Sequence, residues 1–128
     1  MSADLVARVR AAFDAAGGGD ADALPPLCAP NVVWRGHEAR RPAYCLGRDD
    51  LRAWLRRVRA VIGAERFTAS EVARSPAADQ VVLRLRWRFP DHVDESFQRV
   101  VLRGERIVLI QDYMEREKAL AALTLPPI

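Results

Sequence analysis

At 128 residues the chain is long enough for one domain with a substantial core and too short for two. Half of its residues are hydrophobic and 29% are charged, an ordinary globular composition, and no apolar run approaches the ~18 residues that would span a bilayer. The net charge is +3, but the basic residues, all arginine except Lys118, are scattered rather than gathered into a stripe with stacking aromatics, which argues against nucleic-acid binding.

The first segment, residues 3–16, places Leu5, Val6, Val9, Ala12, Phe13 and Ala16 at helical spacing. Ser2 is available as its cap and Gly17-Gly18-Gly19 as its stop. Charges interrupt this stretch, so it lacks the apolar core of a secretion signal, and a cytoplasmic location is expected. "DADALPPLCAP" suggests a short helical turn, with Pro25 and Pro26 confined to its first turn. "NVVWRG" then reads as a strand, followed by the irregular stretch "HEARRPAYCLG".

Residues 47–63 form the clearest helix. Leu51, Trp54, Leu55, Val58 and Ile62 line one face and Arg52, Arg56 and Arg59 the other, so the arginine run is a solvated helix face. From Glu65 onward the period changes to that of strands. "RFTASEVA" precedes a turn at "RSPAADQ"; "VVLRLRWRF" then sets Val81, Leu83, Leu85, Trp87 and Phe89 against Val82, Arg84, Arg86 and Arg88. "PDHVDE" is expected to break the chain, and "SFQRVVL" and "RIVLIQDY" to pair across the hairpin loop "RGE". "EREKALAAL" closes the chain as a helix. Helices first, then a run of strands, predict an α+β domain over residues 1–128, with N-terminal helices on one face of a curved antiparallel sheet. Cys28 and Cys45 form no CxxC pair and are expected to be buried free thiols rather than zinc ligands.

The segments "GDADALPPLCAPNVVWRG", "LGRDDLRAWL" and "VLRGERIVLIQDYMER", in this order and spacing, resemble the SnoaL-like, or nuclear transport factor 2-like, superfamily over roughly residues 3–122. That resemblance implies a cone-shaped curved sheet whose concave face, covered by the helices, holds an apolar pocket. It also implies a homodimer through the outer sheet face and no metal or organic cofactor. The superfamily includes ketosteroid isomerases, limonene epoxide hydrolases and polyketide cyclases, so the fold leaves the function open. The isomerase pattern is not met: its tyrosine, base and protonated acid fall near Val9, Gly36 and Phe97 or Gln98. The hydrolase pattern retains Asp112, but its partner strand reads "RLRWR" with no carboxylate. The cyclase pattern asks least, an acid/base carboxylate and sometimes a histidine, which Asp112 and His37 can supply.

Asp112 has two readings. It is an acid/base group if Val108, Ile110 and Asp112 share the apolar face, and a helix cap if D-x-x-E, Asp112 to Glu115, starts the last helix. His37 is the candidate proton shuttle. Trp34, Tyr44, Trp87, Gln98 and Tyr113 are the candidate substrate-binding residues, and no metal ligand is identified. The expected partner is a small hydrophobic molecule, without nucleic acid or membrane. The expected activity is cyclisation, isomerisation or hydrolysis of a polyketide- or terpenoid-like substrate, with a non-catalytic binding or dimerisation module as the alternative.

Overall fold

Helix α1, Ala3–Gly17, begins where the Ser2 hydroxyl accepts a hydrogen bond from the Leu5 amide at 3.1 Å. In the computed structural model, which describes residues 2–36, 44–75 and 79–123, the apolar side chains predicted for this helix are all buried. A 3-10 turn, Pro25–Leu27, leads into strand β1, Cys28–Arg35. A two-residue strand, β2 (Cys45–Leu46), pairs antiparallel with β1; nothing in its length or pattern marks it in the sequence. Helix α2, Arg48–Ile62, buries Leu51, Trp54, Leu55 and Val58 and ends at Gly63, whose φ of 85° is the left-handed conformation that stops a helix. Ile62, expected on the inner face, is 41% exposed in its last turn. On the outer face, Arg52 reaches Asp22 and Asp49 and Arg56 reaches Asp22, all in solvent-facing pairs of small energetic weight.

The remaining strands are β3 (Arg66–Ser75), β4 (Gln80–Arg88), β5 (Val93–Arg103) and β6 (Arg106–Tyr113), followed by helix α3, Arg116–Ala122. The sheet has the order β2-β1-β6-β5-β4-β3. Strands β3 to β6 form an antiparallel meander, whereas β1 lies parallel to β6, so the sheet is mixed rather than wholly antiparallel. A parallel pair needs a long crossover, and here α2 with the whole meander supplies it. Strand β5 begins earlier than expected, at Val93, because "DHVDE" extends the sheet where residues 90–95 are all exposed. With both faces wet, no apolar alternation marks that part of the strand. Between β5 and β6, Gly104 and Glu105 both have positive φ, 56° and 65°, in a two-residue hairpin turn that matches the twist of the strands.

The core lies on the concave side. Val81, Leu83 and Leu85 of β4, Phe67 and Ala69 of β3, Val100 and Leu102 of β5, and Ile107 and Ile110 of β6 form one cluster with α1 and α2. Helix α3 lies on the other side, where Ala119 packs with Val82 and Phe97. There Arg99, only 6% exposed, donates to the Gln80 amide oxygen and to the Ala122 carbonyl at the end of α3.

The end of α1 is held tightly against edge strand β3. Asp14 accepts the Ala69 amide hydrogen bond at 3.0 Å. Gly17 lies so close that an added Cβ would overlap the Phe67 carbonyl oxygen, which is backbone and cannot rotate away. At Gly18 an added Cβ meets only ordinary van der Waals neighbours, with φ at −84°. Gly17→Ala is therefore expected to lower stability by about 1–3 kcal/mol, whereas Gly18→Ala should be neutral or stabilising by up to about 1 kcal/mol. Urea unfolding of both variants checks this; equal effects would show that the close approach is not what requires glycine at residue 17.

Candidate active site

The candidate site is made where three neighbouring strands bring one polar side chain each to the concave face. On β6 the side chains do not alternate evenly from the hairpin: Leu102 pairs with Ile107 but Val101 with Leu109, so Val108 is an extra residue. This bulge puts Ile107 and Ile110 on the core side and turns Val108 and Leu109 toward the outer face. The expected set Val108, Ile110 and Asp112 is thus corrected at its first member. Asp112 keeps the parity of Ile110 and lies directly opposite Gln98 of β5. On its other side, β1 brings Trp34 beside Ile110.

These neighbours bond the carboxylate directly. Trp34 donates its indole Nε1–H to Asp112 Oδ1 at 2.8 Å, and Gln98 donates through Nε2 to the same oxygen at 3.2 Å. The Gln98 amide also donates to Ser96 Oγ, and Trp87 Nε1 donates to that hydroxyl, each at 2.9 Å. A polar chain Trp34–Asp112–Gln98–Ser96–Trp87 thereby crosses a face that is otherwise apolar. Among the described residues Asp112 Oδ2 receives no hydrogen bond, and the buried Gln98 Oε1 has no partner.

Burial pushes the Asp112 carboxyl from 3.8 up to about 7, and the hydrogen bonds from Trp34 and Gln98 offset that only in part. The capping alternative does not hold: Asp112 is still within β6, and α3 starts after Glu115 without any side-chain cap. Sequence spacing alone cannot tell a strand that ends at Tyr113 from a helix that begins there.

Trp34 and Gln98 meet Asp112 directly, and Trp87 joins through Ser96. Ser96 was not singled out in the sequence, although its parity with Gln98 on one strand was the available signal. Trp87 also packs on Phe67, with ring centroids 4.7 Å apart. Tyr44 stacks on Trp54 at 5.0 Å and 12°, with its hydroxyl beside Gly36. Tyr113 lies on the outer face with Val82 and Phe97 under α3, because it follows Asp112 by one residue in a strand. His37 lies outside the described residues. His92 sits at the exposed turn, bonded to Asp91 and Asp94, and forms no described hydrogen bond with a member of this chain of contacts. Cys28 and Cys45 are buried free thiols, each pushed up to about 12 by burial and so not nucleophilic at neutral pH. No helix among the described residues is long and apolar enough to cross a membrane.

The SnoaL-like domain profile matches residues 9–112, from the inner face of α1 to Asp112. Among solved structures, the chain is similar to a hypothetical protein from Catenulispora acidiphila with a ketosteroid isomerase-like fold, solved in complex with trimethylamine. The two share 23% identity over 98% of this chain and 96% of that one, with a TM-score of 0.67. A presumed polyketide cyclase from Sinorhizobium meliloti aligns at 24% identity over 88% and 95% of the two chains, TM-score 0.61. A steroid delta-isomerase from Pseudomonas aeruginosa aligns at 22% over 96% and 88%, TM-score 0.66. No curated protein matches the chain. These structural likenesses concern the fold; the profile match, which covers most of the sequence, shows that the chain belongs to the SnoaL-like family.

Proposed function

We propose that the protein is a small-molecule enzyme in which Asp112 serves as general acid/base on a hydrophobic, polyketide- or terpenoid-like substrate held in an apolar pocket against the concave sheet. The observation that carries this reading is the carboxylate itself. It is raised to about 7, held at Oδ1 by Trp34 and Gln98, and left without a described partner at Oδ2. Two donors on one oxygen fix the plane of the carboxylate and direct Oδ2 as the proton-transfer atom. Abstraction of a proton next to a carbonyl, followed by its return elsewhere, suits isomerisation or ring closure; activation of a water suits hydrolysis. Trp87, half-buried and linked to the carboxylate through Ser96 and Gln98, offers aromatic surface for a flat apolar substrate.

A second reading, a binding module without turnover, is favoured by the packing of Trp34. Its ring is 3% exposed, lies edge-on to Phe13 at 5.9 Å, and uses its N–H on Asp112, so the carboxylate would serve to anchor β1 to β6.

The raised acidity constant has a consequence for stability that Asp112→Asn isolates, since asparagine keeps an oxygen acceptor for both donors. Well below the ordinary value of 3.8 the carboxyl is protonated in folded and unfolded chains alike. As pH rises the unfolded chain ionises first, so this group's contribution to stability declines until the folded carboxyl also ionises near 7. The stability of wild type relative to Asp112→Asn should therefore fall by more than ~1 kcal/mol between about pH 4 and pH 8, as measured by urea unfolding. A constant difference across that range would remove the basis for an acid/base role.

Catalysis is read with 5-nitrobenzisoxazole, whose ring opens when a base removes one proton. Wild type should open it saturably, with a rate that climbs with pH through a midpoint near 7, and Asp112→Asn should lose that activity by roughly 100-fold or more. Saturable binding with equal ring-opening rates in the two proteins would favour the binding module.

A further inference from the structure

The outer face of the sheet carries a second polar feature, unrelated to Asp112. Strands β3 and β4 set Arg66 directly opposite Arg88 and Thr68 opposite Arg86; on β5, Val93 lies opposite Arg88 and Glu95 opposite Arg86. Because Phe67, Ala69 and Leu85 turn into the core, alternation sends these residues outward. Arg66, Thr68, Arg86, Arg88 and Val93 together line a cleft of about 180 Å³.

Like charges at directly opposed positions weaken a sheet. The described acids relieve this only in part. Glu95 reaches Arg86 at 3.7 Å in an exposed pair, while Asp91 and Asp94 are engaged by His92 at the turn. Among the described residues neither Arg66 nor Arg88 forms an ion pair. Three arginine side chains and a threonine thus line one cleft, with the Glu95 carboxylate against one of them. Planar guanidinium forks suit the paired oxygens of phosphates and carboxylates, and the hydroxyl supplies a further donor. The cleft has the room of several water molecules at roughly 30 Å³ each, more than one phosphate group requires.

We infer that this cleft is a binding site for a multiply charged small oxyanion of the pyrophosphate or polycarboxylate type, which offsets the repulsion between Arg66 and Arg88. The site is on the opposite side of the sheet from the Asp112 chain and stands independently of the reading proposed for it.

The test is calorimetric titration and thermal melting of the full chain with pyrophosphate and, separately, citrate, at fixed ionic strength. Arg66→Gln and Arg88→Gln are compared with wild type, and solution mass is recorded for each. Wild type should bind at least one of the two anions saturably, with a rise in Tm. Each variant should bind roughly ten-fold more weakly or worse. In anion-free buffer the variants should melt at the same temperature as wild type or higher, because one of two repelling charges has gone; this outcome separates a ligand site from a structural role. No binding to wild type, or equal binding to all three proteins, would overturn the inference. So would a solution mass that halves in Arg88→Gln without anion binding to wild type, which would assign the arginines to contacts between two copies of the chain.

Discussion

The parallel pairing of β1 with β6 is the constraint on which the site depends. It closes residues 34 and 112, far apart in sequence, into a hydrogen bond of 2.8 Å, while antiparallel pairing on the other side sets Gln98 against the same carboxylate. Neither neighbour alone defines the group. One strand supplies an indole N–H with no second polar function, the other an amide whose remaining oxygen is left unsatisfied. A carboxylate on an apolar wall would ordinarily be too costly to retain in its ionised form. Here two donors limit that cost without cancelling it, and the residual penalty appears as the raised acidity constant.

The same side of the sheet explains how little of the surrounding chain is free to change. Helix α1 closes on β3 through Asp14 and through the bare backbone at Gly17, and α2 closes over β1 through Trp54, Leu55 and Val58. The concave face therefore has its walls fixed by backbone contact at one end and by large side chains at the other. The outer face is built differently. Helix α3 covers its middle with small residues, Ala119 and Ala122, and the charged strand ends project beyond it.

Much of this was legible in the sequence because it is periodic. The alternation of Val81, Leu83 and Leu85, the helical stripe from Leu51 to Val58, and the Ser2 cap each report a local environment that the chain must satisfy wherever its neighbours lie. The facing of Asp112 and Gln98 was left open by the same pattern: Asp112 faces inward only if it shares the face of Ile110, and Gln98 alternates with Phe97 and Arg99 with nothing in the strand to say which of them faces the core. What was not legible is relational. The parallel partner of β1, the two-residue β2 and the extra residue at Val108 depend on which strands meet, and a pattern within one strand carries no record of that. Tyr113, a candidate for the site, follows Asp112 by one residue, the one spacing in a strand that separates two side chains across the sheet, and packs beneath α3 instead. D-x-x-E misled because the same residues satisfy a cap pattern and the end of a strand.

The irregularity in the middle of β6 has a wider meaning. Its two neighbours both break register at this place: β5 between Val101 and Leu102, β1 between Cys28 and Val33. The strand is thereby divided into two phases. The half beside the hairpin takes its facing from the turn at Gly104 and Glu105, and the half that bears Asp112 takes it from Gln98 and Trp34. Were the ladder regular from the hairpin onward, the same residues would set Gln111 opposite Gln98 and send Asp112 to the outer face. The chemistry of the concave wall thus rests on a count of residues as well as on their identity.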